Sequence, residues 1–354
     1  MTETETETAT TASARVVRDH DRPLWRRVVL TRESAIVALL ILVVIVASAT
    51  VRGFGQPITL TYLLLDIAPI LLIGLPMTLV LITGEIDLSV GSMVGLASVV
   101  TGVGVQAGLP FELAALLALL VGVVGGAFNG FLVTVVGLPS LAVTIGTLAL
   151  FRGLAVGLLG TTAVTAFPQA WTSLAKARIA GTTIPYITVP FLILLVIFAV
   201  LLHFTPFGRG VYAIGLSKDA ARFSGVDVER TKLILFVLSG LVSALAGVYY
   251  TLRFGSARGD NATGLELQVI AAVVLGGVSV FGGRGQLYGV VAAALLIGVL
   301  SSALRLANVT SDVINIITGV LLVLSVVTAS VLTWLQRARR RPPRTPRAAA
   351  STAT

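Results

Sequence analysis

The chain of 354 residues contains no cysteine and only two histidines, His20 and His203. Disulfides, thiolate nucleophiles, cysteine metal sites and a histidine-rich metal cluster are therefore excluded. Charge is also scarce. Charged residues make up 12% of the chain, whereas a soluble domain carries about a quarter. No G-x-x-x-x-G-K-[ST] phosphate loop and no H-E-x-x-H zinc pair occurs in the sequence. Nothing in the composition calls for a cofactor.

Apolar residues supply 56% of the chain, and glycine is frequent. So few polar groups cannot cover a surface in water, so lipid is the expected solvent. The net charge of +9 does not point to nucleic acid, because the basic residues sit at segment ends and in the tails.

A bilayer crossing takes about 20 mostly apolar residues. Ten stretches qualify: 34–50, 60–83, 88–107, 111–136, 139–160, 187–204, 231–252, 266–281, 287–305 and 312–334. The reading is an all-α integral membrane bundle of about ten transmembrane helices spanning 34–335. The polar leader 1–33 and the basic tail 336–354 flank it, with compositions that predict disorder. The first apolar stretch starts too late for a cleavable secretory signal. With the N-terminus in the cytoplasm, 18 of the 25 Lys and Arg fall inside, 6 fall outside, and Arg152 lies within a span. That bias predicts an even span number with both termini cytoplasmic. Leu81–Gly95 and Leu275–Val290 echo one another, each an apolar run, a glycine turn and a second apolar run. The echo reads equally as an internal repeat or as chance similarity.

Three segments carry the most information. The turn G-E-I-D-L-S-V-G runs from Gly84 to Gly91 and places Glu85 and Asp87 at a membrane boundary. Carboxylates there must be hydrated, paired or capping. Asp87 and Ser89 can cap the following helix, or contact a moving partner. The second segment, Gly264–Gly285, ends in the turn of Gly282, Gly283 and Gly285. The third runs from Asn129-Gly130 through Pro139 and Thr144-Ile-Gly-Thr-Leu148 to Arg152-Gly153.

In order and spacing these resemble the motifs of the ribose/galactose-type ABC sugar permeases. The first resembles G-G-I-D-L-S-V-G, with Glu85 where glycine is commonest. Glu85 and the segment Phe254–Asp260 are similar to rhamnose and furanosyl-autoinducer permeases. The resemblance covers about residues 35–335. It implies a bacterial inner-membrane permease subunit that forms the gated path for a monosaccharide. It also implies three partners: an extracytoplasmic sugar-binding protein, a separate ABC ATPase, and a second permease chain, identical or paralogous. The chain itself would not be an enzyme.

Ser217-Lys218-Asp219-Ala220-Ala221-Arg222-Phe223-Ser224-Gly225 resembles the family's coupling segment. Ser217 is placed to cap a short helix and Gly225 to end it. Ala220, Ala221 and Phe223 would form a small apolar surface for a groove on the ATPase. Polar residues inside spans are candidates for the translocation path: Asn129, Arg152, Glu266, Gln268, Asn308 and Asn315. Asp66 and Asp312 read as outer-end residues exposed at the interface. The competing class is an ion-coupled secondary transporter or channel. It would need carboxylates at mid-membrane, and these are sparse. A membrane-embedded enzyme would need the clustered acids or zinc motif that the sequence lacks.

Overall fold

The computed structural model describes residues 32–310 and, beyond them, 312–317, 319, 320, 323 and 327. Twelve named helices run through the described residues: α1 (Arg32–Thr50), α2 (Pro57–Ile82), α3 (Val90–Gln106), α4 (Phe111–Thr134), α5 (Ser140–Leu159), α6 (Gln169–Lys176), α7 (Thr188–Phe204), α8 (Pro206–Leu216), α9 (Lys218–Phe223), α10 (Val228–Phe254), α11 (Leu265–Leu275) and α12 (Leu287–Leu306).

The architecture is the expected all-helical membrane bundle, but the count of ten full crossings needs correction. Five helices (α2, α4, α5, α10 and α12) are long and apolar enough to cross alone. α7 and α8 are long and apolar enough as a pair bent by 68°, which makes at most six among the described residues. α3 and α11 have only 17 and 11 residues. At 1.5 Å per residue they rise about 25 and 16 Å, short of the roughly 30 Å hydrocarbon core. Each adjoins irregular backbone that other parts of the chain cover, 83–89 before α3 and 276–286 after α11. Such backbone survives at membrane depth only where protein or a cavity covers it. The periodicity that marks an apolar run does not distinguish a full helix from a half-helix with a glycine turn. The tenth stretch, 312–334, lies mostly outside the described residues, as do leader residues 1–31 and the tail 336–354.

α2 is the axis. It is apolar on all sides, and Leu72, Ile73, Leu75, Met77 and Leu79 are fully buried. A helix without a polar face belongs inside a bundle. Pro69 and Pro76 lie within this one continuous helix. α10, α11, α12 and α7 pack around it, and α4 and α3 pack against α10. The α4–α10 crossing is close because it is made of glycines. A Cβ on Gly122 would overlap the Gly240 carbonyl, and one on Gly240 would overlap the Gly122 carbonyl. Packing of this kind replaces the hydrophobic drive that helices lack in lipid.

The turns sort to two ends. One end carries 83–89, 135–139, 205–227 and 276–286, which meet through Ile82, Glu85, Ser140, Tyr212 and Gly283. The other end carries 51–56, 107–110, 160–187 and 255–264. There Thr61 Oγ1 donates to the Thr183 carbonyl, and Trp171 Nε1 donates to Glu112. Trp171 comes from α6, a short amphipathic helix inside the long 161–186 connection, and its ring packs against Phe111.

Candidate coupling and transport sites

The 83–89 turn exists because Gly84 takes φ +79°, a conformation L side chains rarely adopt. It aims Glu85 inward. Glu85 Oε1 accepts from Lys218 Nζ at 2.9 Å and from Lys232 Nζ at 2.6 Å. Lys232 is buried, with 8% of its side chain exposed, whereas Lys218 is 54% exposed. Burial pushes the Glu85 carboxyl up. Lys232, the Ser140 hydroxyl and Lys218 together outweigh that and hold it below the usual carboxylate value. The next residue, Ile86, donates its amide to Ser140 Oγ at 3.1 Å, and the Ile86 carbonyl accepts from Thr144 Oγ1.

Asp87 does not cap the helix as the sequence suggested. It accepts from the Ser89 amide and hydroxyl at 3.0 and 2.6 Å and from Ser239 Oγ at 2.7 Å. Ser89 is the N-cap residue of α3, but its side chain makes no capping bond. Its hydroxyl instead accepts from Asn129 Nδ2 at 2.8 Å. Asp87, Ser89, Asn129 and Ser239 thus form a buried polar knot that ties α3, α4 and α10 at one level. Asn129 belongs to this knot, not to the Arg152 cluster.

The glycine turn of the second motif docks on the first. The Gly283 amide donates to the Ile82 carbonyl at 2.8 Å, and Tyr212 Oη donates to the Gly285 carbonyl at 2.7 Å. Gly282 and Gly283 have φ of +83° and +74°. Gly215, near the end of α8, fits between them. A Cβ there would overlap the Ile82 carbonyl and the Gly283 amide. The sequence treated the two motif turns and the coupling segment as separate features, and the structure puts them in one cluster.

The segment expected to couple forms the capped helix α9. Ser217 Oγ accepts from the Ala220 amide at 3.3 Å, and Gly225 ends the turn at φ +83°. The expected apolar surface changes in composition. Ala221 is buried with Ile214 and Val228, so it anchors the helix from beneath. The outward surface is Ala220, Phe223 and Leu216, with Phe223 93% exposed. Arg222 pairs with Glu229 at the foot of α10.

A second polar cluster lies nearer the other end. Arg152 Nη1 donates to the carbonyls of Gly259 at 2.9 Å and Asn261 at 2.6 Å. Gly91 and Gly95, one turn apart on α3, make room for it. Glu266 lies against Gly91, and the Arg152 guanidinium lies against Gly95. The carboxylates of Glu266 and Asp260 attract the guanidinium. Glu266 Oε2 is buried and makes no hydrogen bond among the described residues. Glu266 also occupies the first turn of α11, where an acid complements the helix dipole. Gln268 faces a separate crevice of about 320 Å³ that it lines with Tyr62, Asp66, Ser301, Ser302 and Arg305. Asp66 is not simply exposed there, because it pairs with Arg253 at 2.9 Å and Arg305 at 3.7 Å. Asn308 sits exposed past the end of α12 at φ +60°, and Asn315 is exposed further on. Neither joins the Arg152 cluster.

The sequence reading missed Lys232, Ser239 and Gly215. Lys232 was legible in principle. It is the last cation before the long apolar run of α10, and a cation at that depth needs a carboxylate on the same side.

The described residues form a polytopic membrane bundle, with two half-length helices beside glycine turns and a capped short helix presented at one end. Residues 59–326 match the sequence profile described as the permease component of branched-chain amino acid transport systems. The autoinducer 2 import system permease protein LsrD of Escherichia coli K12 is 37% identical over 323 residues, 88% of this chain and 97% of its own length. LsrD of Yersinia enterocolitica is 37% identical over 281 residues, 76% and 84% of the two chains. No solved structure matches. The chain belongs to this family of ABC-importer permeases, whose ribose/galactose-type members its motifs resemble. It is a multi-pass inner-membrane permease subunit, and ATP hydrolysis belongs to a separate subunit.

Proposed function

We propose that this permease carries a small hydroxylated furanosyl compound, of the autoinducer 2 or pentose class, handed over by an extracytoplasmic binding protein. The ATPase docks on Ser217–Gly225, and both termini face the cytoplasm. The observation that carries the coupling role is α9 itself. It is capped at both ends and anchored through Ala221, yet it presents Phe223 almost fully exposed. A solvated loop has no reason to hold a phenylalanine outward on a fixed helix, whereas a helix that docks in a groove does.

The relatives named for autoinducer 2 import, together with Glu85 and the segment Phe254–Asp260, favour the furanosyl class over rhamnose. Arg152 and Glu266 are the residues of the path that meet the substrate, since a guanidinium and a carboxylate with unfilled bonding capacity can both engage hydroxyl groups. On α5, Gly146, Gly153 and Gly157 meet nothing within 4 Å. That small-residue face supports close approach of a second permease chain, identical or paralogous.

The test is uptake by the complete complex in proteoliposomes, with radiolabelled ribose, rhamnose and autoinducer 2 offered in turn. ATP-dependent accumulation of autoinducer 2 or ribose over rhamnose is expected. Accumulation of rhamnose alone, or uptake that ignores ATP and follows a proton or sodium gradient, would overturn the reading.

A further inference from the structure

We infer that Glu85 is a positioning residue that fastens the coupling helix to the transmembrane body, so that a push on α9 moves the 83–89 turn. This rests on the reading of Ser217–Gly225 as the docking segment.

The geometry gives Glu85 two unequal legs. The buried leg, to Lys232 at 2.6 Å, joins the turn to the first turns of α10. The half-exposed leg, to Lys218 at 2.9 Å, reaches the first residue of α9. No other side chain in 217–225 makes an ion pair or side-chain hydrogen bond beyond residue 229 among the described contacts. Lys218 is thus the polar link from α9 into the distant part of the fold. From Glu85 the contacts continue through Ile86 to Ser140 and Thr144 at the start of α5, the helix that carries Arg152. Glycine at position 85 would remove both legs together. The departure from the common motif therefore adds a connection.

A contiguous chain of contacts supplies a route, and the warrant for coupling is a measured dependence of one site on the other. A purely structural role for Glu85 would alter how much protein folds. A linking role alters how much substrate moves for each ATP hydrolysed.

The test uses the assembled complex of permease, ATPase and binding protein in proteoliposomes. Transport of the substrate found for the wild type and ATP hydrolysis are measured together. Lys218→Met leaves the buried Glu85–Lys232 pair intact, so assembly should persist. Its transport per ATP should fall at least about fivefold, the lower end of typical coupling effects. Glu85→Gln should fall as far or further. Lys218→Arg keeps the charge and should restore most of the ratio. A wild-type ratio in Lys218→Met overturns the proposal, whatever happens to protein yield. If Glu85→Gln fails to assemble, the two Lys218 variants decide alone. Ala220→Glu, run beside them, separates the two readings. If the ATPase still binds it at full strength, docking at 217–225 fails and the linkage fails with it. If docking weakens but Lys218→Met keeps a normal ratio, only the linkage fails.

Discussion

The amide of Gly283 donates to the carbonyl of Ile82 at 2.8 Å, joining the turns of two separate sequence motifs. One turn joins the full-length helix α2 to the half-helix α3, and the other joins the half-helix α11 to the full-length α12. Gly215 closes the contact from the side of the coupling segment. Three stretches of sequence thus meet backbone to backbone, where side chains of any size would hold them apart. Such a junction tolerates little change, since small displacements at close-packed contacts are resisted by overlap.

Gly215→Ala should therefore destabilise the protein. The added methyl meets the Ile82 carbonyl and the Gly283 amide, both backbone groups that cannot swing aside. Overpacking of this kind typically costs about 1–3 kcal/mol. Gly240→Ala at the α4–α10 crossing should act likewise. Gly55→Ala, in open space, should be neutral. Melting temperatures of the detergent-purified chain check this. Equal values for all three variants would mean the crossings are looser than the structure has them.

Orientation can be read with single cysteines in this cysteine-free chain. Ala220→Cys lies on exposed α9, and Ser173→Cys lies on exposed α6, at the opposite end of the bundle. An impermeant thiol reagent applied to whole cells should label the cysteine at 173 and spare the one at 220. The opposite pattern would invert the topology, and the docking assignment would go with it.

The membrane class, most helix positions and the capped short helix 218–223 were legible in the sequence, because apolar run length and cap chemistry are local. Ser217 and Gly225 do what their residue types suggest. What was not legible depends on contacts distant in sequence. Asp87 looked like a helix cap because Ser239, its second partner, comes from another helix. Ala221 looked like part of a docking surface because nothing local reveals that Val228 covers it. Arg152 read as a candidate for the path, but its hydrogen-bond partners, carbonyls of an irregular loop, could not be read locally. α11 looked like a full span because the apolar run continues through Val278 and Val280, after the helix has already ended at Leu275.

The Glu85 cluster sets a pH dependence of stability with an acid edge. Glu85 titrates lower in the folded chain than the ordinary value of 4.5, so its contribution is present above that value and fades as pH falls through the folded value below it. The gap in melting temperature between wild type and Glu85→Gln should be widest near neutral pH, where carboxylate and lysines are all charged, and should narrow below about pH 4.5. A gap that stays constant across the acid range would show that the carboxylate is not held ionised by its lysines.

Arg152 separates the loop contact from the charge. Its guanidinium holds two carbonyls, of Gly259 and Asn261, through one nitrogen, while Glu266 and Asp260 supply the nearby negative charge. A lysine keeps the charge but presents a compact ammonium on a shorter stem, which cannot reproduce the planar donor set of arginine. Arg152→Lys should therefore assemble with the ATPase, since Arg152 is held by the 259–261 loop and not by α9. Its uptake should nevertheless fall by an order of magnitude or more, consistent with the loss of a charge-assisted hydrogen bond worth about 1.5–3 kcal/mol. Arg152→Gln should fall further, because it also leaves Glu266 without its counter-charge. Restoring neutrality with Glu266→Gln in the Arg152→Gln background should recover assembly and stability but not uptake, if the pair meets the substrate. Recovery of full uptake in that double variant, measured in the same vesicles, would make the pair a structural neutralisation and place the path elsewhere in the bundle.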